Sequence, residues 1–127
     1  MAKAIGVEAL ASAVDDILEE YGDEIRKHVD EATEKVAKKA VKSLRQESSA
    51  RFGGTGRYAK GWKATTERDA AAGTKVTLHN AKLPGLPHLL EHGHAKRGGG
   101  RTQGVAHIAP IEQETIRLYE EMLRREL

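Results

Sequence analysis

The sequence predicts an α+β protein with a long N-terminal helix, a small antiparallel β-sheet (a hairpin plus an extended segment), a short central helix and a C-terminal helix. Three observations predict it. Apolar residues recur in steps of three and four from Val7 to Leu44, which follows the 3.6-residue helical turn. Lys75 to His79 alternates polar and apolar behind a stretch with the β-favouring Thr65 and Thr66. Pro110 heads an amphipathic run with acids at its start and bases at its end, as a helix dipole favours.

A single domain over 1–127 is expected, with the long helix over 1–47. Its stripe comprises Val7, Leu10, Val14, Ile17, Tyr21, Ile25, Val29, Ala32, Val36, Ala40 and Leu44, with acids crowding the early turns and bases the late ones. Gly22 is the one point where the helix can kink or divide, at about 1 kcal/mol relative to Ala. Eighty further residues cannot cover so long a stripe, so part of it is expected to meet a neighbouring copy. Residues 48–61, with four glycines and two serines, read as a flexible loop.

The span 62–109 holds the rest of the middle. A strand over Trp62 to Arg68 and a second over Lys75 to His79, joined by a turn over 69–73, form the hairpin. Two prolines and a glycine precede His88 to His92, which can make about two helical turns before Gly93 stops them. A glycine-rich loop over 95–105 follows, then His107 to Ala109, extended because Ala109 precedes a proline. The C-terminal helix over 110–127 presents Ile111, Thr115, Leu118, Met122 and Leu123.

Composition narrows the function. Leu, Ile, Val and Phe number 11, 6, 7 and 1, about a fifth of 127 residues, a thin core for a patterned chain and one that another copy would complete. With no cysteine, disulfides, thiolate catalysis and cysteine-ligated zinc are excluded. No apolar run approaches the ~20 residues that span a bilayer, and no secretory signal is visible, so no membrane partner is expected. Residues 1–50 carry 8 bases and 11 acids, residues 51–107 carry 10 and 3, and residues 108–127 carry 3 and 5. The basic middle suits contact with nucleic acid or with acidic parts of other subunits.

The segment HLLEHGHAKRGGGR at 88–101 carries the sharpest chemistry. Its first five letters fit the H-x-x-E-H pattern of inverted zinc peptidases, with His88 and His92 four apart on one helical face, Glu91 as general base and His94 or His107 as a third ligand. Against a metal site stand the stop at Gly93, the distance to any third ligand and a chain too small to wall a cleft. No metal or other cofactor is therefore expected. The KRGGGR loop lacks the Lys-Ser or Lys-Thr ending of a phosphate-binding P-loop. Tyr58 and Trp62 read as core or subunit-contact anchors, and five aromatics in all make a weak platform for stacking bases.

TGRYAKGW at 55–62, HLLEHGHAKRGGGR at 88–101 and HIAP at 107–110, in that order behind a long charged helix, resemble a bacteriophage family. This is the tail-completion or head-tail joining (neck) family of long-tailed phages, minor tail components of siphophages of the gene-product-ten type. The resemblance covers nearly the whole chain, and the order and spacing of the motifs are its specific part. Leu83 to Leu86 and the segment around Thr102, Gln103, Val105 and Ala106 match more loosely.

The resemblance implies a non-enzymatic virion protein of the head-tail connection, made in the bacterial host cytoplasm, with self-association into a ring. A hexamer is expected from the sixfold symmetry of tail tubes. Its partners would be the tail terminator or tube and the head connector or stopper proteins, with DNA passing through the ring lumen. Residues expected at subunit or partner contacts are Arg57, Tyr58, Trp62, His88, Glu91, His94, Lys96, Arg97, Arg101 and His107. Two alternatives remain: a basic nucleic-acid-binding module, and a small zinc hydrolase built on the H-x-x-E-H segment.

Overall fold

The computed structural model describes residues 7–69 and 73–126. The described residues form an α+β arrangement of four helices and one two-stranded antiparallel sheet: α1 (Val7–Phe52), α2 (Arg57–Lys60), β1 (Trp62–Asp69), β2 (Gly73–Asn80), α3 (Leu86–His92) and α4 (Ala109–Glu126).

Helix α1 crosses Gly22 as one helix, without a break at that glycine. It also runs past the expected end at residue 47. Ser48 and Phe52 lie on the same side as Leu44, so burial of that side carries the helix into the glycine-containing segment. The flexible loop expected over 48–61 shrinks to a turn at residues 53–56, where Gly53, Gly54 and Gly56 all adopt positive φ, followed by the single turn of α2.

The two halves of α1 have different surroundings. Residues 7–24 are exposed throughout, including Val7, Leu10, Val14, Ile17, Leu18 and Tyr21, whose exposures run from 45 to 85 %. From Ala32 onward the stripe is buried: Ala32, Val36, Ala37, Ala40 and Leu44. Small alanines let α4 and the hairpin approach closely, and Thr33 and Tyr119 tie α1 to α4 through hydroxyls 2.7 Å apart.

In the hairpin, Trp62 pairs with Asn80 and Asp69 with Gly73. The strands run one residue or more beyond the expected limits. The turn itself falls partly on residues 70–72, outside the described residues, as do residues 1–6 and 127 at the ends of the expected terminal helices. Trp62, Ala64, Thr66 and Arg68 share a face with Asn80, Leu78, Val76 and Thr74. That face lies on α1, and Arg68 forms an ion pair with Glu34. A bare hairpin is marginal in water, so this helix backing is what stabilises it.

The core gathers around Leu44, Tyr58 and Trp62, with Phe52, Leu78, Leu90, Ile108 and Ile111 packed around them. Helix α4 begins at Ala109, so the extended segment expected over 107–109 is instead a bend at residues 107 and 108. Pro110 is then the second helical residue, where its missing N–H is no loss. The expected apolar face of α4 is half-buried at Ile111, Thr115, Leu118, Met122 and Leu123, whereas Ile116 is 52 % exposed. No helix among the described residues is long and apolar enough to cross a membrane.

Candidate functional site

The three segments that stood out in the sequence converge on one cluster: Tyr58 from α2, Glu91 from α3 and His107 from the bend before α4. Backbone geometry brings them together. Gly93 ends α3 with φ 78°, and any side chain there would collide with the Thr102 carbonyl. A Cβ on Gly104 would stand 2.5 Å from the Glu91 carbonyl oxygen and 2.7 Å from the His92 carbonyl carbon. These two glycines let the chain recross the end of α3 at backbone contact, where the Val105 N–H donates to the Leu90 carbonyl at 2.8 Å.

Glu91 then meets the start of α4. Its Oε1 accepts from the backbone N–H of His107 at 2.8 Å and of Ile108 at 2.9 Å, and its Oε2 from Ala109 at 3.0 Å. These N–H groups sit at a helix entrance, where a negative charge is favoured. Burial pushes the Glu91 carboxyl upward, but the three backbone donors and the neighbouring His107 outweigh it and hold the group below its ordinary value. Its carboxylate is therefore a capping group supplied by a different helix.

His107 is fully buried. Its Nδ1 lies 2.8 Å from the Val105 carbonyl and 2.9 Å from Glu91 Oε1, both acceptors, so Nδ1 carries the proton. Nε2 is 2.7 Å from the Tyr58 hydroxyl, which donates to it in the neutral ring. Phe52 stacks edge-on against both rings, with centroids 4.7 Å from His107 and 5.6 Å from Tyr58.

A carboxylate, an imidazole and a hydroxyl in line resemble an acid-base relay, but this one is enclosed in the core. Burial, then the charge of Glu91, push the Tyr58 phenol up to about 12. A nucleophile activated by an adjacent base must be open to its substrate, and this hydroxyl is buried and committed to Nε2. The arrangement is a latch that fastens the α1–α2 corner to the junction of α3 and α4.

A second latch adjoins it. The Trp62 indole N–H donates to Ser48 Oγ at 2.8 Å, and the Arg45 guanidinium donates to the Trp62 carbonyl at 2.9 Å. Asn80 donates to the Tyr58 carbonyl at 2.8 Å and accepts from the Leu83 N–H at 3.0 Å. Gly61 leaves room for the Asn80 amide, which a Cβ would strike. Among the described residues no buried side-chain polar atom lacks a partner.

The residues expected at a partner surface thus divide. Tyr58, Trp62 and His107 are buried in the chain's own core and Glu91 is spent on capping, because their hydrogen bonds and ring contacts are satisfied internally. Arg57, His88, His94, Lys96, Arg97 and Arg101 are exposed. Lys96, Arg97 and Arg101 belong to a narrow loop more ordered than a free glycine-rich segment. Ala95 bridges Arg101, the Lys96 N–H donates to the Gly100 carbonyl at 2.9 Å, and the Thr102 N–H donates to the His94 carbonyl at 2.8 Å.

His88 and His92 stand side by side on the exposed face of α3, ring centroids 4.9 Å apart. Glu91 is turned away from them into the core, and His94 Nδ1 faces the Ala95 carbonyl. Among the described residues no group of three or more His, Asp or Glu side chains is placed to hold a metal ion.

Ser48, Asn80, Gly61 and Gly104 were not singled out from the sequence. Asn80 carried a signal, since an Asn at a strand end commonly hydrogen-bonds the following turn. The others acquire meaning only from contacts distant in the chain. No protein-family model, no curated protein and no solved structure matches the chain.

Proposed function

We propose that the protein is a non-enzymatic structural subunit of the head-tail connection of a long-tailed bacteriophage, completing the tail and joining it to the head connector as one member of a ring. The observation that carries this reading is the division of α1 into a partly buried stretch and an exposed stretch of eighteen residues that bears an apolar stripe. Exposed apolar stripes of this length mark surfaces that other proteins cover. The three motifs of the phage resemblance also meet in the fold, since each supplies one residue of the latch: Tyr58, Glu91 and His107. The hydrolase alternative loses its general base, because Glu91 already accepts three backbone hydrogen bonds.

Under this reading the basic loop at Lys96, Arg97 and Arg101 faces either a neighbouring tail or connector protein or the DNA in the lumen. Deleting the gene from the phage or prophage that encodes it tests the proposal. Electron microscopy of the lysate should show separate filled heads and tails, with joining restored by the gene supplied in trans. Joined, infectious particles without the gene product would overturn it.

A further inference from the structure

We propose that the exposed half of α1 docks into an apolar trench on the body of a second copy of this chain, in a head-to-tail contact. Residues 7–24 form the arm, about 27 Å of helix at 1.5 Å per residue. Val7, Leu10, Val14, Ile17, Leu18 and Tyr21 line one side of it, and every one is exposed.

The body carries a concave counterpart. Two hollows of about 300 and 220 Å³ open between β2 and α4, with the buried half of α1 as their floor. They share Leu78, Thr115 and Ile116, and Val76, Ile111 and Tyr119 extend the same apolar walls, with Glu112 at one edge as the one charged residue of the lining. Side chains spaced at three and four residues along a helix suit such a groove. Within one chain the two surfaces cannot meet, because the arm continues straight from the helix that floors the trench.

Charge selects the occupant. Residues 7–24 carry seven acids and no base, whereas residues 25–127 carry 20 bases and 12 acids, so −7 on the arm faces +8 spread over the body as a whole rather than over the trench lining. With seven acids on each arm and no base to offset them, two arms packed side by side would repel each other. Arm against body is the attractive combination, and it steers one copy onto another. A contact between two different surfaces of one chain repeats into a closed ring or an open filament. The inference stands on these surfaces alone and holds whether or not the protein joins phage heads to tails.

Analytical ultracentrifugation of the full-length protein tests it. Leu10→Gln with Ile17→Gln removes the arm's knobs while keeping helix propensity. Ile116→Glu places a carboxylate in the trench at a residue already half exposed. The unaltered chain should associate with rising concentration, and each variant alone should sediment as a monomer. An equimolar mixture should form a 1:1 complex that grows no further, since it holds one intact arm and one intact trench. This recovery also shows that both variants are folded. Undiminished association of the Ile116→Glu variant would point to arm-arm pairing and overturn the proposal. So would a mixture that forms no complex, or an unaltered chain that stays monomeric at hundreds of micromolar.

Discussion

The Nδ1–H of His107 and the carboxylate of Glu91 stand 2.9 Å apart although sixteen residues separate them in the chain, and the same carboxylate oxygen accepts the His107 backbone N–H. One side chain therefore orients the ring and caps the helix that follows it. The Glu91 side chain is 8 % exposed, which leaves water little room to replace it in either role.

Replacing Glu91 should accordingly unfold the protein more readily rather than abolish a reaction. Glu91→Gln keeps the shape but turns an amide N–H toward a backbone donor, and a loss of about 2 kcal/mol is expected, rising to about 3 kcal/mol for Glu91→Ala. Urea denaturation followed by fluorescence of Trp62, the chain's one tryptophan, measures both.

The same carboxylate predicts an acid-side dependence. Its folded pKa lies below the ordinary 4.5, so its contribution is fully present above that value and is lost as pH falls through the folded one. Stability of the unaltered protein should decline over that window, and the Glu91→Gln variant should show a flatter profile there.

Tyr58 governs the alkaline side. Its phenol, ordinarily 10.0, is pushed up to about 12 in the fold, so its contribution is complete below pH 10 and is lost as pH rises through about 12. Tyr58→Phe leaves Nε2 of His107 without its donor, at a cost of about 1–2 kcal/mol near neutral pH. That variant should also lose the part of the alkaline destabilisation due to Tyr58, which thermal melts at pH 9 to 12 would reveal.

The glycines separate by geometry rather than by sequence. Gly104→Ala should destabilise strongly, because its Cβ meets backbone of α3 that cannot move aside, whereas Gly98→Ala should be nearly neutral in open space. Melting temperatures of the two variants decide this, and equal losses would contradict the backbone crossing.

A structural zinc site would make the fold depend on metal. Chelator should leave the melting temperature unchanged, and His88→Ala with His92→Ala should do the same, since both imidazoles are exposed. A clear drop on adding EDTA to freshly purified protein would count against the description of α3 given above.

Local pattern in the chain was enough to show the α+β class, the amphipathic helices at either end, the hairpin with its strands near their observed places, and the short helix stopped by Gly93. These follow from periodicity, turn chemistry and helix-end preferences, all of which act between residues close together in sequence. Tertiary contact decided the rest. Apolar spacing is the same from Val7 to Leu44, and only the arrival of α4 and the hairpin from Ala32 onward makes one half core and leaves the other exposed. Likewise H-x-x-E-H describes a zinc helix and a capping helix equally well. Gly93 and Gly104 allow the chain to fold back so that Glu91 meets three backbone donors and His107, contacts between residues far apart in the chain that no local pattern encodes.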